Sequence, residues 1–169
     1  MKKMMFGLVL AGLVVLGASA AEKVRWPVWF AFNNEEDVDV VGLRVNLFSG
    51  TCEQVTGMDL GFIGHSQYFN GFQLNLLRND VTDSLAGWQI GLYNSAGLGD
   101  SLGLQTGLWN EAQTLKGFQV GLVNLADYCT GLQVGLINRS EDMHGYQIGL
   151  VNIIRGSDVP FCPLINIGY

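Results

Sequence analysis

One octapeptide, repeated in tandem, constrains this chain more than any other feature. Gly117-Phe-Gln-Val-Gly-Leu-Val-Asn124, Gly131-Leu-Gln-Val-Gly-Leu-Ile-Asn138 and Gly145-Tyr-Gln-Ile-Gly-Leu-Val-Asn152 share the pattern G-φ-Q-φ-G-φ-φ-N, where φ is apolar. Gly103-Leu-Gln-Thr-Gly-Leu-Trp-Asn110 and Gly87-Trp-Gln-Ile-Gly-Leu-Tyr-Asn94 keep it, whereas the copies that start at Gly71, Gly57 and Gly42 drift at the Gln, second Gly or Asn position. Successive leading glycines stand 15, 14, 16, 16, 14, 14 and 14 residues apart. Self-similarity at so short a period means one structural unit per copy, stacked on its neighbours. The chain end, Ile165 to Tyr169, reads as a truncated ninth copy with Leu164 in the glycine position.

Within a copy the apolar residues alternate with Gly and Gln, so Phe118, Val120 and Leu122 share one face and Gly117, Gln119 and Gly121 the other. That is the period of a β-strand. An apolar residue also recurs two positions before most leading glycines (Val40, Val55, Phe69, Leu85, Leu115, Cys129, Met143), and short polar stretches such as Arg139 to Asp142 read as turns. With Phe118, Val120, Leu122 and their equivalents expected inside, three buried apolar side chains per copy still do not offset the entropy of ordering a whole copy. No copy therefore stands alone. The expected fold is all-β, a β-solenoid of about eight coils of 14 to 16 residues. Stacked Asn94 to Asn152 and Gln89 to Gln147 would then form amide ladders. A small closed antiparallel β-barrel is the alternative, but three outward apolar residues per strand fall short of the roughly 25 Å band a membrane barrel needs.

The ends read differently from the middle. Met1-Lys2-Lys3, an apolar run over residues 4–17 and Ala18-Ser19-Ala20 have the order of a secretory signal peptide, so the expected organisation is a signal peptide at 1–20, an N-terminal cap segment at 21–40 and the repeat domain at 41–169. Cleavage after Ala20 removes Lys2 and Lys3 and takes the formal net charge from −6 to −8. A chain this acidic repels phosphate backbones, which argues against nucleic acid as a partner. Residues 21–40, with Trp26-Pro-Val-Trp-Phe30, lack the octapeptide and suit a segment that covers the first rung.

Residues able to do chemistry are few and scattered. His65 and His144 lie five copies apart without metal-ligand spacing around them, and read as turn histidines. Glu35-Glu36-Asp37 and Glu141-Asp142 lack the spacing of a calcium loop. No glycine run is followed by Gly-Lys-Ser/Thr, so a phosphate loop is excluded. The reading is therefore of a non-enzymatic chain with no metal and no cofactor; were it a hydrolase of the solenoid type, Asp59 and Asp83 are the carboxylates to substitute. The three cysteines, Cys52, Cys129 and Cys162, are an odd number. Cys129 and Cys162 take the same repeat position two rungs apart, about 9.6 Å, too far for a disulfide. One column does suggest binding. The residue before the Asn is Tyr93 and Trp109 in adjacent copies, and by parity it belongs to the Gln/Gly face. Tyr93 and Trp109 are the candidate site for a glycan or a protein partner, with self-association as the other use of such a stripe.

At these motifs the chain resembles the bacterial surface-repeat proteins, exported chains that carry tandem G-x-Q-x-G-L-x-N units, over Val41 to Asn166. What the resemblance implies is export to the periplasm, outer membrane or cell surface, and a structural or binding role; it supplies no catalytic residue. A small outer-membrane barrel is the runner-up and a solenoid hydrolase the third reading.

Overall fold

The computed structural model describes residues 25–31 and 34–169, without the side chains of 25, 26 and 34–38; the expected signal peptide lies outside the described residues. Four extended segments make one sheet system in chain order: β1 (Arg25–Ala31), β2 (Asn34–Val134), β3 (Ile137–Ile154) and β4 (Phe161–Gly168). β2 is a single extended path that winds through most of the coils without interruption. β3 lies parallel to it with a register of one copy, Gly131 opposite Gly145, Gln133 opposite Gln147 and Asn124 opposite Asn138. Like residues therefore stack on like. The result is a β-solenoid of about eight turns. Adjacent strands of an up-and-down barrel run antiparallel, so the parallel register removes the barrel alternative.

The interior departs from expectation in which face it takes. Gln73, Gln89, Gln105, Gln119, Gln133 and Gln147 are all fully buried, as are Asn94, Asn110, Asn124, Asn138 and Asn152. Phe118, Val120 and Leu122, expected to be inside, are about half exposed, at 51%, 42% and 48%. Two further inward columns complete the core. One is the apolar column two residues before the leading glycine, from Val40 through Leu115 to Met143; the other is mostly small, with Cys52, Ala96, Ala112 and Ala126.

Amides survive burial here because the stack satisfies them. From Gln89 on, each Gln donates to the Gln of the preceding coil, as Gln119 Nε2 does to Gln105 Oε1 at 2.8 Å, and the Gln119 amide also reaches a backbone carbonyl six residues on, Leu125 O at 3.1 Å. The Asn row points the opposite way. Asn110 Nδ2 donates to Asn124 Oδ1 of the following coil at 2.8 Å and to Val120 O at 3.0 Å. The second glycine of each copy is required by that row. A Cβ on Gly121 would meet Asn110 Nδ2 at 2.6 Å and Gly107 O at 2.4 Å. The leading glycines hold φ between 130° and 150°, and a Cβ on Gly117 would lie 2.0 Å from Gly103 O. At that corner successive backbones touch, and no side chain fits.

The drifting copies are compensated inside. Asn46 and Asn75 replace the second glycine, and the Asn row makes room for them with Gly50 in the coil of Asn46 and Gly64 in the coil before Asn75; a Cβ on Gly64 would sit 2.2 Å from Asn75 Nδ2, and one on Gly50 1.9 Å from Asn46 Oδ1. In the Gln row, the first two glycine-led coils have Arg44 and Asp59, both fully buried. Asp59 accepts from Arg44 Nε at 2.8 Å and Nη2 at 2.6 Å, from Asn46 at 2.6 Å, from Asn75 at 2.8 Å and from Gln73 at 2.9 Å. The Gln ladder thus runs its donor end onto a carboxylate, and the carboxylate is held by a guanidinium. Burial opposes the Arg44 charge, but the hydrogen bonds and charge of Asp59 outweigh it and raise the pKa above the usual arginine value.

The two ends depart from the octapeptide in different ways. The N-terminal segment belongs to the stack: β1 pairs parallel with β2, Val28 opposite Leu43, Trp29 opposite Arg44 and Ala31 opposite Asn46, after a bulge at Pro27. Pro27 occupies the leading-glycine slot, its carbonyl 2.2 Å from where a Gly42 Cβ would be, and Trp29 stands in the Gln row, packed on the core. A repeat with none of the repeat's identities still makes a rung. At the other end, β4 turns back and pairs antiparallel with β3, Gln147 opposite Asn166 and Asn152 opposite Cys162. The ninth copy is therefore reversed, and Leu164 takes a positive φ of 71° in doing so. Cys162 consequently leaves the apolar column assigned to it and is half-buried opposite Asn152, whereas Cys129 is buried there, its thiol pushed up to about 12 by desolvation. Neither of the two is in a disulfide.

Candidate interaction face

Turning the amides inward puts the apolar half of every copy outside. The second, fourth and sixth positions of all eight copies point outward, and all are apolar or aromatic except Thr106. The sixth position alone lines up Leu92, Leu108, Leu122, Leu136 and Leu150, each between 45% and 61% exposed. No charge interrupts these three columns. Thr106, the one polar member, accepts a hydrogen bond from Trp88 Nε1 at 3.1 Å, so the indole N–H is satisfied within the face. Trp88 also meets the edge of Phe72, ring centroids 5.5 Å apart and planes at 84°. Between Trp88 and Phe118 the smaller Leu104 leaves a shallow hollow of about 350 Å³.

The other sides of the solenoid carry the charged pairs, together with scattered exposed apolar side chains such as Leu98 and Tyr128. Lys116 pairs with Asp100 at 2.8 Å, and Arg139 and Arg155 both pair with Glu141, holding its carboxyl below the usual range. His65 Nδ1 lies 3.1 Å from Asp80, which Arg78 also contacts at 3.0 Å. The His65 hydrogen bond and the Arg78 charge lower the Asp80 pKa despite partial burial. Over the Ala96, Ala112 and Ala126 column runs a groove of about 320 Å³ flanked by Glu111, Asp127, Arg139 and Glu141. Among the described residues, no three His, Cys, Asp or Glu side chains are grouped to hold a metal ion.

Tyr93 and Trp109 do not sit where parity placed them. The chain turns a corner at the sixth and seventh positions, so Leu122 and Val123 are both outward and Asn124 is inward. The aromatic pair therefore borders the apolar face, and the Gln ladder it was expected to flank is inside. Tyr93 is firmly positioned: its hydroxyl donates to Glu111 at 2.7 Å and the Arg78 guanidinium lies 5.0 Å from its ring centre. Burial and the Glu111 contact raise its phenol pKa. Trp109, at 41% exposure, presents its ring. Of the two carboxylates singled out for a hydrolase, Asp59 is interior with both oxygens committed, and Asp83 is a half-buried surface residue reached by Gln67 at 3.4 Å. The structure does not bring them together on one surface.

The face itself was missed from sequence, yet a signal for it was present. Across the five regular copies, Gln, the second Gly and Asn do not vary, while the second position alternates among Trp, Leu, Phe and Tyr. Fixed size is what a packed interior demands, and varied size is what a surface permits. Comparison of the chain with protein-family models, with curated proteins and with solved structures returns no match.

Proposed function

We propose that this chain is an exported, non-enzymatic envelope or surface protein of the surface-repeat type, acting as a structural or binding module through its apolar sheet face. The observation that carries the reading is the outward run of apolar columns over eight coils, which no charge interrupts. Soluble monomers rarely leave a contiguous apolar patch of more than a few hundred Å² uncovered. The leader-like residues 1–20 support export, and the acidic balance supports partners other than nucleic acid. The test is to fractionate cells producing the chain and to probe intact cells with protease. Recovery with the envelope or at the surface, lost from that fraction when Leu92 and Leu122 are changed to Asp, is expected; an unprocessed chain in the cytoplasm overturns it.

Trp109 beside a fixed Tyr93 favours a second, narrower use of the same border, stacking against the apolar face of a sugar ring. Glycan binding that disappears in Trp109→Ala with the solenoid intact would identify it.

A further inference from the structure

Resting on the reading of the apolar columns as the working surface, we propose that their occupant is a second copy of this chain, packed face to face so that the two solenoids share a dry inter-sheet layer. The area is right for it. Three outward columns, each two residues apart along the strand, make a band roughly 20 Å wide, and eight rungs at about 4.8 Å make it roughly 38 Å tall. One copy then covers roughly 750 Å², and two bury about 1,500 Å² in total, the size of a standard stable interface.

The chemistry of the face selects against the other broad class of occupant, a lipid surface. Interfacial segments that lie on anionic bilayers border their apolar face with Lys and Arg. This chain has 9 basic residues against 15 acidic ones, and Lys116, which borders the face beside Phe118, is already neutralised by Asp100. A second copy asks for none of that. Its matching face is uncharged, and besides the Tyr146 hydroxyl the side-chain polar groups in the three columns are Thr106 and the Trp88 indole, whose N–H is already donated to the Thr106 hydroxyl. Packing two such faces leaves almost no polar atom to desolvate, which is the condition a dry sheet-on-sheet layer about 10 Å thick requires. The hollow over Leu104 between Trp88 and Phe118 gives the opposing copy a seat for a side chain, twice, once on each side of the two-fold axis.

The experiment is sedimentation equilibrium on the protein purified from cells as they process it, in detergent-free buffer, with Leu92→Asp/Leu122→Asp as the test variant and Gln113→Asp, on the polar side, as control. Circular dichroism confirms that each remains β-folded. The expected result is a two-chain mass for the parent and control, and at least a tenfold weaker dimer for the test variant. A parent that stays monomeric at micromolar concentration, or that grows without limit, overturns the pairing. Flotation on phosphatidylcholine vesicles, alone or mixed with phosphatidylglycerol, separates the two failures. A monomer that floats, and stops floating in the test variant, keeps the face as the working surface and replaces the occupant by lipid. A monomer that neither floats nor responds to the substitutions removes the face from the function altogether.

Discussion

Changing Asp59 to Asn tests the logic of the interior at one atom. The substitution preserves shape and removes the charge on which Arg44, Asn46, Gln73 and Asn75 converge. A buried guanidinium left without its partner costs about 3–5 kcal/mol. The new amide N–H₂ also faces donors on one side, and each orphaned donor adds about 1–3 kcal/mol. The loss is therefore roughly 4–8 kcal/mol, within the range of an ordinary domain's whole stability. In a stack whose coils interact only with neighbours, that loss stays local. Hydrogen exchange should show amides between 42 and 66 opening while those between 117 and 152 stay protected. The companion variant Arg44→Gln/Asp59→Gln, which extends the row already formed by six other coils, should regain most of the protection. If Asp59→Asn changes protection of the first coils by less than tenfold, about 1.4 kcal/mol, the carboxylate is not what terminates the ladder.

Three further outcomes follow from the same geometry. Gly117→Ala forces a Cβ to within 2.0 Å of Gly103 O at a φ of 149°, and should lower stability to urea by at least about 1–3 kcal/mol, where a neutral result would show that the corner can open. Ser101 is a buried hydroxyl without a partner in the column otherwise filled by Leu85 and Leu115, so Ser101→Ala should raise the unfolding free energy measured in urea by about 1 kcal/mol; a drop means that the hydroxyl is bonded. The folded-state pKa of Asp80 is depressed, so its contribution is complete above its unfolded value of about 3.9 and is lost as pH falls through the lower folded value. Stability measured from pH 6 downward should therefore fall less steeply in Asp80→Asn than in the parent, and parallel curves would dismiss the His65 and Arg78 contacts as contributors.

How far the sequence carries the fold can be judged from individual residues. Strand period, coil length, parallel stacking and both amide ladders are legible from Gly117 to Asn152, because in-register copies must place Gln on Gln and Asn on Asn. The orientation of the faces is not, since a period of two says which residues share a side and leaves open which side is inward. The habit of placing Phe118 and Leu122 inside fails because a parallel stack lets amides satisfy one another, an option that isolated buried amides lack. Trp29 was hidden for a related reason: it fills the Gln row by volume, and no identity marks it. The reversal of β4 follows the turn at 155–160, where Gly156 and Pro160 break the coil before the ninth copy begins. The aromatic pair was singled out by its chemistry, but the corner that sets its surroundings depends on two successive outward residues, which alternation cannot forecast.

The opposed directions of the two amide rows bear on how such a chain changes length. A single row of aligned amides accumulates a dipole with every coil, so a longer rod would be electrically harder to terminate than a shorter one. Here the Gln row and the Asn row point against each other, and each added coil contributes nearly nothing along the axis. Duplication or loss of one unit by recombination between near-identical segments therefore leaves the cross-section, the end structures and the charge balance of the interior as they were. What changes is the outer face, by about 95 Å² for each coil of about 4.8 Å. Copy number then acts as a dial on the area of the apolar face, set by counting units and not by redesigning any of them.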